Sequence, residues 1–134
     1  MKKLALILCL AALILFGCKG REQTTETVRT YYLMGQLRSE AKIKDGLLDG
    51  QSIENYQNGN RKGEAIYKAG LLDGKSISYF ENGQPKSEAS YTSGVLNGVS
   101  TNWYENGKKM SEATFVMGSL MGKVNEWHSS GTPK

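Results

Sequence analysis

Glycine recurs in this chain at a fixed interval. Gly35, Gly59, Gly83, Gly107 and Gly131 stand 24 residues apart. Gly46, Gly70, Gly94 and Gly118 form a second column at that spacing, and Gly50, Gly74, Gly98 and Gly122 a third. Between the first two columns lie Glu40, Glu64, Glu88 and Glu112, each followed by Ala41, Ala65, Ala89 or Ala113. Two positions beyond each Ala stand Ile43, Tyr67, Tyr91 and Phe115, and a further column holds Leu48, Leu72, Leu96 and Leu120. No insertion or deletion breaks this register, so the chain is an array of equivalent units. A unit this short buries apolar surface only against its neighbours.

The turn chemistry says what each unit is. Asn58-Gly59, Asn82-Gly83 and Asn106-Gly107 are flanked by strand-like segments. Such pairs favour a two-residue type I′ turn, which needs positive φ at both central positions. Side chains alternate along a strand, so Ile77 shares a face with Tyr79, and Ala89 with Tyr91. Gly94-Val95-Leu96-Asn97-Gly98 then reads as the connection to the next hairpin, with Leu96 filling the gap between turns. The expected fold is all-β: an elongated antiparallel meander of tandem 24-residue hairpin repeats. Each unit adds two strands, about 10 Å of length at ~4.8 Å per strand. A lone hairpin is marginally stable, so the aromatic and Leu columns are expected to stack into a continuous core. The two ends are open edges, through which the chain is able to self-associate.

Tyr104-Glu105-Asn106-Gly107-Lys108-Lys109-Met110-Ser111-Glu112-Ala113, followed by Phe115, Gly118, Leu120 and Gly122, resembles the bacterial MORN repeat variant. So do Phe80-Glu81-Asn82-Gly83 through Gly98 and Tyr56-Gln57-Asn58-Gly59 through Gly74. The resemblance covers about residues 31–131 and is specific for the fold. Bacterial chains of this kind are similar to the YwqK family of antitoxin-like proteins. That resemblance implies protein binding, with neutralisation of a dedicated toxin as the alternative to a scaffold role. Met34-Gly35 and Ser130-Gly131 replace Asn-Gly in the first and last units, which marks them as degenerate ends.

The N-terminus reads as an address. Lys2 and Lys3 precede an apolar run from Leu4 to Phe16, the pattern of a secretory signal peptide, and the run is short for a membrane-spanning helix. Leu15-Phe16-Gly17-Cys18 resembles the lipobox of bacterial lipoproteins, although Phe16 is larger than usual at its position. The resemblance implies cleavage before Cys18 and acylation of its thiol, with palmitate among the chains attached. Residues 1–17 are thus expected to be a signal helix, 18–27 the lipidated Cys and a flexible tether, and 28–134 the repeat domain. Two or three acyl chains anchor a protein without any spanning helix. Lys19 in place of Asp leans toward the outer membrane of a Gram-negative cell, or else the outer face of the plasma membrane. Cys9 falls in the leader, which leaves Cys18 alone and excludes an internal disulfide.

The full chain carries 17 basic and 13 acidic residues; without Lys2 and Lys3 the balance is 15 to 13. These charges mix in sign along the chain, against the one-sided basic patch of a nucleic-acid surface, and no nucleic acid is expected. No cofactor or metal is expected and no enzymatic activity, a cell-envelope enzyme being the last of the alternatives. His128, the only His, occupies the column of Tyr32, Tyr56, Phe80 and Tyr104 and reads as an edge aromatic substitute. No Cys or second His near it completes a metal site.

Two surfaces remain as candidates for binding. Glu40, Glu64, Glu88 and Glu112 recur at ~10 Å, farther apart than paired catalytic carboxylates at roughly 5–9.5 Å. They read as cross-strand partners of Arg38, Lys62, Lys86 and other basic residues, or as a ladder for a basic or repetitive partner. Tyr79, Trp103 and Trp127 form one aromatic column, while Tyr56, Phe80 and Tyr104 follow immediately and are expected on the opposite face. One set forms core and the other shields the sheet, or a set lines a groove for a protein, peptide or glycan. Met110, Met117 and Met121 make the last unit soft, as a cap or as an adaptable interface.

Overall fold

Residues 23–134 are described by a computed structural model, in which they form nine strands and no helix. The strands are β1 (Thr25–Tyr31), β2 (Leu37–Lys44), β3 (Leu47–Asn55), β4 (Arg61–Lys68), β5 (Leu71–Tyr79), β6 (Pro85–Thr92), β7 (Val95–Trp103), β8 (Lys109–Val116) and β9 (Ser119–Glu126). Their order in the single sheet is their order in the chain, with every neighbouring pair antiparallel. The repeat register therefore produces the expected meander. The signal helix, Cys18 and residues 18–22 of the tether lie outside the described residues. β1 begins at Thr25, three residues before Val28, where the sequence suggested the domain starts.

Both turn types differ from expectation. The two-residue type I′ turns are Asp45-Gly46, Ala69-Gly70, Ser93-Gly94 and Met117-Gly118, in which both residues have positive φ. The pairs Lys44–Leu47, Lys68–Leu71, Thr92–Val95 and Val116–Ser119 close them. At the Asn-Gly sites only the Gly is left-handed: Gly59 has φ 89°, its N–H donates to Tyr56 O at 3.0 Å, and Tyr56 N–H donates to Asn60 O at 2.8 Å. This is a type I turn closed by a left-handed Gly, a three-residue loop. The Asn side chain has another task there. Asn58 Oδ1 accepts from Asn60 N–H at 2.9 Å, while its Nδ2 donates to Glu81 O in the following unit at 3.3 Å.

The Gly-Leu-Gly segment is also corrected: it is mostly strand. Leu96 and Gly98 belong to β7, with Leu96 opposite Tyr91. Between the pairs Ala65–Ser76 and Tyr67–Leu72, β5 carries two extra residues, and the chain bulges at Gly74. Gly74 has φ 134°, and a Cβ there would lie 3.1 Å from Ile66 Cβ. Only Gly combines that backbone with so close a neighbour.

Groups that recur with the period tie the strands within each unit and one unit to the next. Gly70, Gly94 and Gly118 donate their N–H to Leu48, Leu72 and Leu96 O at 2.7–2.8 Å. Ala69, Ser93 and Met117 N–H reach the side-chain oxygens of Asp49, Asp73 and Asn97 at 3.1–3.3 Å. Tyr32, Tyr56 and Tyr104 hydroxyls donate to the carbonyls of Asn55, Tyr79 and Trp127 at 2.7–2.9 Å.

The expected continuous core does not form. Among the described residues no hydrophobic side chain is buried, and Thr101, at 7% exposure, is the one buried residue. A single sheet has no second layer to close over its faces, so Tyr67, Leu72, Tyr91, Leu96 and Phe115 are half-buried by neighbours on their own face.

Candidate functional site: the two faces of the sheet

Directly paired residues of an antiparallel sheet project to the same side. Following the pairs from β1 to β9 gives the row Arg29, Glu40, Ile53, Glu64, Ile77, Glu88, Thr101, Glu112, Asn125. All four Glu thus share one face, here the glutamate face, and Tyr79, Trp103 and Trp127 stand on it two residues further along their strands. Each carboxylate is met by a base: Glu40 by Arg29, Glu64 by Arg61, Glu88 by Lys75 and Glu112 by Lys109, at 2.5–3.0 Å. These are partners other than Arg38, Lys62 and Lys86. The Asn-Gly hairpins carry one extra residue, so Arg61 pairs with Asn55 and Lys109 with Trp103, while the residue after each points to the other side.

Glu64 has the fullest shell. It accepts from Tyr79 Oη at 2.9 Å and from Arg61 Nη1 at 3.0 Å, beside a hollow of about 140 Å³ lined by Gln51, Ile66, Lys75 and Ile77. Burial raises the Tyr79 phenol above its ordinary range, and the hydrogen bond to the Glu64 carboxylate adds to this. A raised folded-state pKa supports stability that is complete below the unfolded value of about 10 and is lost as pH climbs through the folded one. In alkaline denaturation followed by circular dichroism, Tyr79→Phe is expected to flatten the fall in stability above pH ~10 relative to the parent. Identical curves would show that the phenol does not contribute.

The opposite, serine face is built differently. Its central row reads Val28, Ala41, Ser52, Ala65, Ser76, Ala89, Ser100, Ala113, so from β2 to β8 every residue is Ala or Ser. Along one side run Ile43, Tyr67, Tyr91 and Phe115, each opposite a Leu: Leu48, Leu72, Leu96 or Leu120. Along the other runs a polar row in which Thr30 meets Ser39, Ser78 meets Ser87 and Asn102 meets Ser111 by side-chain hydrogen bonds of 2.5–3.0 Å. Beyond it Arg38 stands 5.9 Å from the Tyr32 ring and Lys86 5.7 Å from the Phe80 ring. Lys62 bonds Glu54 at 2.9 Å, and that contact raises its ammonium pKa. Small residues between tall ones leave a trough. It opens into hollows of about 300 Å³, by Ser52, Lys62, Tyr67 and Ser76, and about 430 Å³, by Thr30, Arg38, Ser39 and Ser52.

The candidate residues are therefore divided. Glu40, Glu64, Glu88, Glu112, Tyr79, Trp103 and Trp127 share the glutamate face, where Lys109 lies 5.8 Å from the Trp127 ring. Tyr56, Phe80 and Tyr104 open the Asn-Gly turns; the Lys86 contact places Phe80 on the serine side, and the Tyr56 and Tyr104 hydroxyls tie units together. All of these aromatics are half-buried, not exposed. His128 takes the Tyr position of the last turn, its carbonyl accepting from Gly131 N–H at 2.8 Å. The Ser52, Ser76, Ser100 column that floors the trough and the Asp49, Asp73, Asn97 column that ties the turns also follow the 24-residue period, but were not singled out in the sequence.

The hairpin built on each Asn-Gly turn is the unit that a family model recognises. Residues 48–69, 72–93 and 96–117 match the MORN repeat variant. These three units are MORN repeats. Each MORN match starts at the second residue after a type I′ turn, a Leu, spans one Asn-Gly hairpin and stops at the first residue of the next type I′ turn. β1, β2 and β9 extend the MORN array at both ends in the same sheet. No curated protein and no solved structure matches the chain.

Proposed function

We propose that the chain is a membrane-anchored, non-enzymatic module: lipid on Cys18 holds it to a membrane, and the serine face of the MORN array receives an extended stretch of a partner protein. The observation that carries this reading is the floor of the trough, where seven successive strands present only Ala or Ser. A floor of minimal side chains leaves room for those of a ligand. The hydroxyls of Ser52, Ser76 and Ser100 offer hydrogen bonds along it, and Tyr67, Tyr91 and Phe115 offer rigid apolar contact at small entropic cost. The glutamate face has its carboxylates engaged by its own bases, which favours a structural role there. The anchor rests on the apolar leader and lipobox. It is further supported by the first turn, where Leu33 and Met34 are largely exposed at positions held by Gln57-Asn58, Glu81-Asn82 and Glu105-Asn106 elsewhere.

One experiment tests both parts. Cells expressing the full chain with a photoreactive residue at Ser76, or at Gln51 on the glutamate face, are grown with a labelled fatty acid and irradiated. The expected result is a labelled chain crosslinked to protein from Ser76 and not from Gln51, with the crosslink abolished by Ala89→Arg and the label by Cys18→Ala. Capture from Gln51 alone would overturn the assignment of the face, and equal label in Cys18→Ala would remove the anchor. One captured species would favour the neutralising role that the YwqK resemblance implies; several would favour a scaffold.

A further inference from the structure

The two edges of the sheet are treated differently. Beside β9 the chain folds back: Trp127 pairs with Pro133, and Lys134 N–H donates to Glu126 O at 2.9 Å. Gly122, with φ 78°, bends the remainder of β9, and Lys123 follows it. A returning segment, a proline, a bend and a lysine are the devices by which proteins blunt an open edge. β1 has no returning segment, proline or lysine; its charges are Glu26 and Arg29, and its one irregularity is the register shift against β2 at Thr30/Tyr31. Thr25–Tyr31 contains no Gly, Pro or Lys, all seven residues are exposed, and nothing among the described residues covers its outer side.

The backbone groups that face outward follow from alternation. Thr24 O accepts from Asp45 N–H and Tyr32 N–H donates to Gln36 O, each at 2.9 Å, so even-numbered residues address β2. The odd-numbered residues Thr25, Thr27, Arg29 and Tyr31 turn their N–H and C=O groups to the free edge. We propose that this edge pairs with β1 of a second copy of the chain, antiparallel about a two-fold axis through Val28.

The number of β1 residues that pair, together with charge, favours that register. A two-fold axis normal to the sheet joins serine face to serine face and closes the assembly as a dimer. Centred on Val28, it sets Thr27 opposite Arg29, Thr25 opposite Tyr31 and Glu26 opposite Thr30. All seven residues then pair, with up to about eight new backbone hydrogen bonds. Centring on Arg29 or on Glu26 would set like charges against each other, which is unfavourable. Val28 meets its own copy in a pair without hydrogen bonds, where the Cα atoms approach to ~4.5 Å. The two troughs would then run on as one. The pairing uses the outward backbone groups of β1, so it does not depend on the ligand reading.

The full chain with Val28→Cys, oxidised in cells and run without reductant, is expected to give a disulfide-linked dimer. The parent controls for bridges through Cys9 or Cys18. Val124→Cys, on the blunted edge, is expected to give no more dimer than the parent. Thr27→Pro removes an N–H that faces outward and none that serves β2. Introduced into the Val28→Cys chain, it is expected to keep the parent circular dichroism spectrum and to weaken dimerisation by about tenfold or more. No Val28→Cys dimer above the parent level would overturn the proposal. So would a dimer equally strong from Val124→Cys, or one unaffected by Thr27→Pro in a chain that remains folded.

Discussion

Gly74→Ala is expected to be among the most destabilising single methyl groups that can be added to this chain. At φ 134° a residue with a Cβ is strained, and that Cβ lies 3.1 Å from Ile66 Cβ on the adjoining strand. The backbone contributes about 1–3 kcal/mol and the forced repacking a similar amount, so a loss of roughly 3 kcal/mol is expected in urea denaturation. Gly122→Ala is the matched control. Its φ is 78° and nothing lies within 4 Å of the added carbon, so only the backbone cost applies, about 1–2 kcal/mol. Gly74 also sits mid-array, where each unit leans only on its neighbours. Its replacement is expected to split one transition into two, one from each flank. Equal losses at the two glycines would show that the Ile66 contact is relieved without cost.

The second large effect is expected from the Asn column. Each of Asn58, Asn82 and Asn106 closes its own turn by accepting an N–H two residues on, at 2.9–3.1 Å. Each also donates to a carbonyl of the following unit: Glu81, Glu105 or Ser129, at 2.9–3.3 Å. Replacing all three by Ala removes six bonds at exposed sites. At a few tenths to 1 kcal/mol each, the total loss is about 2–6 kcal/mol, and the sites couple because Asn58 bonds Glu81, beside Asn82, and Asn82 bonds Glu105, beside Asn106. Asp in the same three places separates the two tasks, since it accepts like Asn but has no amide to donate. The Asp chain is expected to fall between the Ala chain and the parent in melting temperature. An Asp chain as stable as the parent would mean that the amides do not hold the units together.

These two columns also show what the amino-acid order reveals and where it stops. The glycine period and the turn signals were enough for an antiparallel meander, because an array without insertions repeats one local solution. The turn type is not legible in the Asn-Gly pair, because the reason for Asn lies 23 residues away at Glu81 and not in its own φ. Parity along the strand points to the wrong partners for the Glu column. Strict alternation pairs Glu64 with Lys62, yet the extra residue in each hairpin brings Arg61 to that face instead. A core was expected from half-apolar columns, but burial needs a second layer that the period does not supply. The serine trough escaped notice because a hydrophobic pattern is read from large side chains, and its floor is defined by small ones.

Strand order equal to chain order has a mechanical consequence. Tension applied between the two ends would not shear many ladders at once. It would peel the sheet open one strand at a time, loading only a few hydrogen bonds at any moment. Each 24-residue unit released would add about 80–86 Å of slack at most, at roughly 3.3–3.6 Å per residue. A chain tethered at one end and pulled at the other would therefore yield in equal steps at low force, lengthening before it lets go.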